Sequence, residues 1–183
     1  GPPPPAKQGP QVGEEAPDFS LPDQYGTPTR LSDLLAAPAA GQPGEAKPGR
    51  WVLLVFYRGY WCTYCNADLR SLQDHLEEFT SRGVRLVAVS VDPPLVTRRY
   101  ADKQGFSLTF LSDPPAQVIR RYHLLREGSG DRQDEVARPA QFLIDSAGTI
   151  RWLNLSEDMS FRLRPQDILK VIDELLLASS PGP

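Results

Sequence analysis

Cys62 and Cys65 stand three residues apart, and the chain of 183 residues holds no other cysteine. A Cys-x-x-Cys pair suits sulfur redox chemistry. One thiolate attacks a disulfide or a peroxide, and a second thiol within reach releases the product by forming a disulfide. A disulfide-stapled mini-domain would carry more cysteines at regular spacings. Structural zinc takes about four N or S ligands, and the only other strong candidates are His75 and His123, without a second close-spaced pair. Covalent haem attachment needs His directly after the second cysteine, where this chain has Asn66. A static Cys62–Cys65 disulfide would close too small a loop to restrain the unfolded chain much. The pair therefore reads as a redox couple, with no metal and no cofactor implied.

Position sets how reactive such a pair is. Counting back from Phe79, Leu76, Leu72 and Leu69, the apolar stripe at spacings of three and four lands on Cys65 and Cys62. The cysteines thus open a helix. Unpaired N–H groups and the helix dipole favour an anion there, and thiol pKa values at such sites commonly fall from about 8.5 to between about 3.5 and 7.5. Cys62, on the first turn, is expected to be the exposed attacking thiol, and Cys65, one turn deeper, the resolving thiol. Arg58 either adds positive potential four residues upstream or is an ordinary surface arginine. Tyr60, Trp61 and Tyr64 form an apolar rim for substrates or simply cover the core.

The flanking elements must hold this turn in place. Trp51 to Tyr57 is continuously apolar, as in a central strand covered on both faces, and Val84 to Val91 follows Gly83 as the next strand. A right-handed crossover makes the two parallel, with one helix running between them to Phe79. Asp92-Pro93-Pro94 and Ser112-Asp113-Pro114-Pro115 read as acid caps followed by Pro in a first helical turn. Leu108 to Leu111 is a short strand, residues 141–145 and 149–153 are a hairpin, and Pro165 starts a last helix. Residues 17–21 and 27–31 make an N-terminal hairpin, and Ser32 caps a short helix. Residues 38–50 and 123–138 read as loops. The fold class is α/β, a sheet flanked by helices.

Composition narrows the partners. The formal net charge of -3 and the absence of a Lys/Arg block favour neither nucleic acid nor an anionic membrane. The longest apolar run, Trp51 to Tyr57, is far short of the roughly 18 to 20 residues that span a bilayer. Residues 1–13, rich in Pro and Gly, are expected to be a flexible leader, 14–178 one domain and 179–183 a loose tail. Such an opening favours an exported or tethered protein, although a chain trimmed by design looks the same.

Trp61-Cys62-Thr63-Tyr64-Cys65, following a buried strand and opening a helix, resembles the thioredoxin superfamily. Ala16 to Leu21, Leu31 to Leu34, Phe56 to Cys62, Val87 to Asp92 and Arg138 to Asp145 resemble its peroxiredoxin-like branch, alkyl hydroperoxide reductase/thiol-specific antioxidant. The resemblance covers about residues 14 to 178 and implies a thioredoxin-like fold with a central mixed sheet. It also implies that Pro139 is a cis-proline beside the cysteines and that Arg138 helps polarise a peroxide. A solvated arginine at a loop end fits Arg138 equally well. Two departures stand out. Peroxiredoxins carry Pro-x-x-x-Thr-x-x-Cys, but ending that pattern on Cys65 places Arg58 at the proline and Cys62 at the threonine, while ending it on Cys62 places Val55 and Gly59 there. Thioredoxin has a buried acid six residues before its first cysteine, where this chain has Phe56.

Three readings follow: a thiol-disulfide oxidoreductase using Cys62 and Cys65, a thiol-dependent peroxidase in which one thiolate, Cys65 by alignment with peroxiredoxins or Cys62 by exposure, is oxidised to sulfenic acid and resolved by the other, and a non-enzymatic redox sensor or binding domain. The expected partners are protein or small-molecule thiols and disulfides, and peroxides in the second reading. The expected state is a monomer or weak dimer.

Overall fold

Strand Trp51–Phe56 is buried at every position, and it is the middle strand of the sheet that carries the cysteine turn. A computed structural model describes residues 9–36, 50–126, 135–155 and 164–179. The element order is β1 (Ser20–Pro22), β2 (Pro28–Arg30), α1 (Leu31–Leu35), β3 (Trp51–Phe56), α2 (Thr63–Asp74), α3 (Leu76–Ser81), β4 (Val84–Ser90) and α4 (Pro94–Gln104). Then come β5 (Thr109–Ser112), α5 (Gln117–Arg121), β6 (Leu125–Arg126), β7 (Val136–Ala137), β8 (Ala140–Ile144), β9 (Ile150–Leu155) and α6 (Pro165–Ser179).

The main sheet has the order β5-β4-β3-β8-β9, with β3 parallel to β4, β4 parallel to β5, and β8 antiparallel to both β3 and β9. It is the mixed sheet that the resemblance implied, and β1 and β2 form the expected N-terminal hairpin. Alternation along β3 splits the core into two. Val52, Leu54 and Phe56 pack with α1 and α5 residues, while Leu53, Val55 and Tyr57 pack with Cys62, Cys65 and residues of α2, α3, α4 and α6. A strand sandwiched in this way must be apolar throughout, which is why β3 shows no alternation in sequence.

Four local expectations are corrected. The single helix from the cysteines to Phe79 is broken at His75, whose backbone lies at φ -110°, ψ 14° and whose Nδ1–H donates to Ser71 O at 2.8 Å. Leu72 and Phe79 stay buried on both sides of the break, so the apolar spacing does not register it. Ser32 is not the cap of α1: Asp18 Oδ1 accepts the Ser32 amide at 3.3 Å, from fourteen residues upstream. Asp92 does not cap α4, whose N-cap is Pro93; its carboxylate points elsewhere, as described below. Part of the 123–138 loop is ordered as the antiparallel pair β6–β7.

The N-cap of α5 is Ala116 rather than Asp113, and Pro114 and Pro115 precede the helix, but the Asp113 carboxylate still accepts the amides of Gln117 at 3.1 Å and Ile119 at 2.9 Å. Gly105 closes α4 in the left-handed conformation at φ 72°. Residues 1–8 of the expected leader, 38–49 of the expected 38–50 loop and 180–183 of the expected tail lie outside the described residues.

Candidate redox site

β3 ends at Phe56, and the following six residues carry the chain over the end of the sheet into α2. Tyr57 remains tied to β4, its amide donating to Val89 O at 3.0 Å. The turn then folds back on itself, with the Cys62 amide donating to Gly59 O at 3.2 Å and the Asn66 amide to Cys62 O at 2.9 Å. Two more bonds fix Tyr60: its amide donates to Asp92 Oδ2 at 2.8 Å, and its carbonyl accepts Asn66 Nδ2 at 3.2 Å. Asn66 is held in turn by the Tyr100 hydroxyl of α4, which donates to Asn66 Oδ1. Residues from α2, α4 and the end of β4 thus converge on one short loop.

Within this frame Cys62 is the N-cap of α2, and its sulfur accepts the Cys65 amide at 3.3 Å. One of the unpaired donors of the helix start is therefore aimed at sulfur, as the sequence position implied. Both cysteines are free thiols. The expectation of an exposed Cys62 is corrected: Cys62 is 4% exposed and Cys65 5%, because the loop from Arg58 to Trp61 folds over the helix end. Burial raises the Cys65 thiol well above the usual cysteine range; its hydrogen bond to Cys62 and the charge of Asp68 add to the rise, while the Arg58 amide opposes it. The pair is asymmetric. The Cys65 amide donates, and Cys62 is the sulfur that receives.

The aromatic residues around this pair are displayed to solvent. Tyr60, Trp61 and Tyr64 are 49%, 48% and 46% exposed, a rim of half-open rings around a covered sulfur pair. The Arg58 guanidinium lies 4.8 Å over the Trp61 ring, and among the described residues its Nε finds no hydrogen-bond partner. Arg58 reaches Cys65 through its backbone amide. Gly59 makes room for Trp61: a Cβ built there would stand 2.7 Å from Trp61 Nε1. Gly59→Ala should therefore push the indole off the turn at a cost of about 1–3 kcal/mol. In a Trp61→Ala background the clash should vanish while the strain of a side chain at φ 158° remains, and a double-mutant cycle by urea denaturation measures the difference.

The structure brings Cys62, Cys65, Trp61, Tyr60, Tyr64 and Arg58 together in one turn. Arg138 is exposed; its amide donates to Leu124 O at 2.7 Å, and its side chain makes no hydrogen bond or ion pair among the described residues. The expected cis bond before Pro139 is corrected, since no peptide bond among the described residues is cis. The trans form is the ordinary preference of X-Pro bonds. Tyr57, Asn66, Ser90, Asp92 and Tyr100 are the site's neighbours that sequence reasoning missed. The only trace of them is a polar Ser90–Asp92 step at the end of an otherwise apolar strand, of which Asp92 reads as a helix cap. No group of three or more His, Cys, Asp or Glu gathers to hold a metal among the described residues, and no helix there is long and apolar enough to cross a membrane.

A sequence profile of the AhpC/TSA family matches residues 12–153. Peroxiredoxin Bcp of Escherichia coli is 32% identical over 142 residues, covering 76% of this chain and 82% of that protein. Alkyl hydroperoxide reductase E of Mycobacterium tuberculosis is 31% identical over 148 residues, covering 80% of this chain and 86% of that one. Among solved structures, Peroxidoxin BcpB from Mycobacterium tuberculosis superimposes with a TM-score of 0.74 at 26% identity, over 93% of this chain and 99% of its own.

Proposed function

This chain belongs to the AhpC/TSA family and is an oxidoreductase, and on that footing we propose that it is a thiol-dependent peroxidase working through Cys62 and Cys65. The Cys62 thiolate attacks one peroxide oxygen; the O–O bond breaks, Cys62 becomes sulfenic acid, and the departing alkoxide or hydroxide leaves with a proton as alcohol or water. The Cys65 sulfur then attacks Cys62, an S–S bond forms, and the sulfenic hydroxyl leaves as water with the proton that Cys65 gives up. An external dithiol returns both cysteines to thiols.

One observation carries the assignment of roles. The Cys62 sulfur caps α2 and receives the Cys65 amide, whereas burial pushes the Cys65 thiol up, and on that difference Cys62 is given the attacking role. The names of the relatives, a peroxiredoxin and an alkyl hydroperoxide reductase, support a peroxide as the substrate class. Peroxide consumption with a dithiol donor should exceed the donor's own rate at least tenfold, with one Cys62–Cys65 disulfide formed per peroxide in a single turnover. A rate equal to that of free dithiol would overturn this reading.

A second reading, a dithiol/disulfide oxidoreductase, is favoured by the departure from Pro-x-x-x-Thr-x-x-Cys: in the register ending on Cys65, Cys62 occupies the place of the threonine that holds the peroxide oxygens. The same protein tested on insulin disulfides separates the two. Reduction of insulin without peroxide turnover would select the second.

A further inference from the structure

Among the described residues four arginines lie over aromatic rings, and three of them have an acceptor or open water. Arg70 lies 4.6 Å over Phe106 and donates to Gln104 O at 2.6 Å and to Gln104 Oε1 at 3.1 Å. Arg151 lies 5.3 Å over Trp51 and pairs with Asp145 Oδ2 at 3.3 Å. Arg98 lies 5.3 Å over Tyr25 and is exposed. Arg58 is the exception. It is partly buried 4.8 Å over Trp61, its Nε is shielded without an acceptor, and its guanidinium makes no hydrogen bond or ion pair among the described residues. A guanidinium N–H taken out of water without a partner is destabilising, so the fold holds here a cation whose counterpart the chain does not supply.

This cation stands at the cysteines. Arg58 opens the loop that folds over them: the next residue, Gly59, accepts the Cys62 amide at 3.2 Å, and the ring beneath the guanidinium belongs to Trp61, which immediately precedes Cys62. Neither sulfur is an acceptor for the guanidinium, and Cys62 receives the Cys65 amide instead. Asp92, the acid tied to this loop, is 7% exposed and engaged by the Tyr60 amide at 2.8 Å. Three of the eight large apolar side chains that are exposed among the described residues, Tyr60, Trp61 and Tyr64, fall within this one stretch. Exposed rings and an uncompensated cation therefore occur together beside the covered sulfurs.

We propose that Arg58 binds the carboxylate of an organic substrate whose apolar body packs on Tyr60, Trp61 and Tyr64, and so selects among the substrates offered to Cys62. A planar guanidinium meets a carboxylate through parallel N–H···O bonds, and exposed aromatic rings receive an apolar body. A substrate with both features matches this surface, and hydrogen peroxide matches neither. Resting on the peroxidase reading above, the class is an organic hydroperoxide that carries a carboxylate. Trp61 is then the residue that positions the guanidinium, and the absence of a Cβ at Gly59 leaves the indole its place.

Cumene hydroperoxide and its para-carboxylate differ only across the ring from the reacting O–O bond, so the ratio of their kcat/KM values isolates recognition of the charge. The wild type should favour the carboxylate about tenfold, in KM rather than in kcat, and high salt should shrink the preference. Arg58→Gln should bring the ratio to about one. Arg58→Lys keeps the charge without the planar fork and should fall between the two. Any effect of these substitutions on the thiols themselves falls on both peroxides and cancels in the ratio. A wild-type ratio near one, or a preference that survives Arg58→Gln, would overturn the proposal; should Arg58→Gln fail to fold, a preference unmoved by Arg58→Lys and by salt would do the same. Consumption of neither peroxide would refute the peroxidase reading and move the test of the site to disulfides. Dithiobis-nitrobenzoate carries carboxylates and dithiodipyridine has none, and both report attack by Cys62 as absorbance. Arg58→Gln should slow the first about tenfold more than the second, and equal slowing of both would overturn the site as well.

Discussion

Cys62→Ser should lower peroxide turnover by three orders of magnitude or more, roughly the loss expected when a covalent nucleophile is removed, and should leave no sulfenic acid for a trapping reagent. Cys65→Ser should behave differently. The amide at position 65 still points at the Cys62 sulfur, which it meets at 3.3 Å, so the first oxidation should survive within about tenfold. Without a resolving thiol the cycle should stop there, leaving Cys62 as a sulfenic acid that dimedone captures at one adduct per chain, or that excess peroxide drives on to sulfinic acid. Intact mass measurement after one equivalent of peroxide distinguishes the two variants. A dimedone adduct on Cys65 in Cys62→Ser, with none on Cys62 in Cys65→Ser, would reverse the roles and match the register in which Pro-x-x-x-Thr-x-x-Cys ends on Cys65.

Phe56→Ala should cost about 3–5 kcal/mol of folding stability, a large share of the roughly 5–15 kcal/mol that a domain of this kind has in total. Phe56 is 1% exposed, with its ring centroid 5.2 Å from Tyr122 and 6.0 Å from Phe142, and these three rings fill the core face opposite the cysteines. Deleting the ring removes its apolar burial and leaves a cavity that strands on both sides of β3 cannot collapse to fill. Urea denaturation monitored by circular dichroism gives the number, and a loss below about 1 kcal/mol would mean that the opposite face alone holds β3. The effect bears on function because Phe56 immediately precedes Tyr57, and the turn carrying Cys62 hangs from that end of the strand. For comparison, the largely solvated Arg82–Asp173 pair, 2.6 Å apart, should contribute no more than about 1 kcal/mol, so Arg82→Ala serves as a near-neutral control.

Tyr60, Trp61 and Tyr64 are each about half exposed beside two covered sulfurs, and the Arg58 guanidinium stacked on Trp61 sets a positive charge among them. Arg138 is exposed, and among the described residues its side chain makes no hydrogen bond or ion pair.

By itself the sequence determined the α/β plan, the buried middle strand, and the cysteine pair at the start of a helix, because each of these is written in a continuous apolar run or a helical spacing along a short stretch. An N-cap and the residue three places on are neighbours by helix geometry alone, so the bond between Cys62 and Cys65 followed from local rules. Only the tertiary structure decided that Cys62 is covered, that the long helix breaks at His75, and that Asp92 turns from its expected cap position to the Tyr60 amide 32 residues away. Those outcomes depend on which groups meet after β3 and β4 pair and α4 packs over them. A polar residue with several possible partners carries no mark in its own neighbourhood of which one the fold will bring within 3 Å.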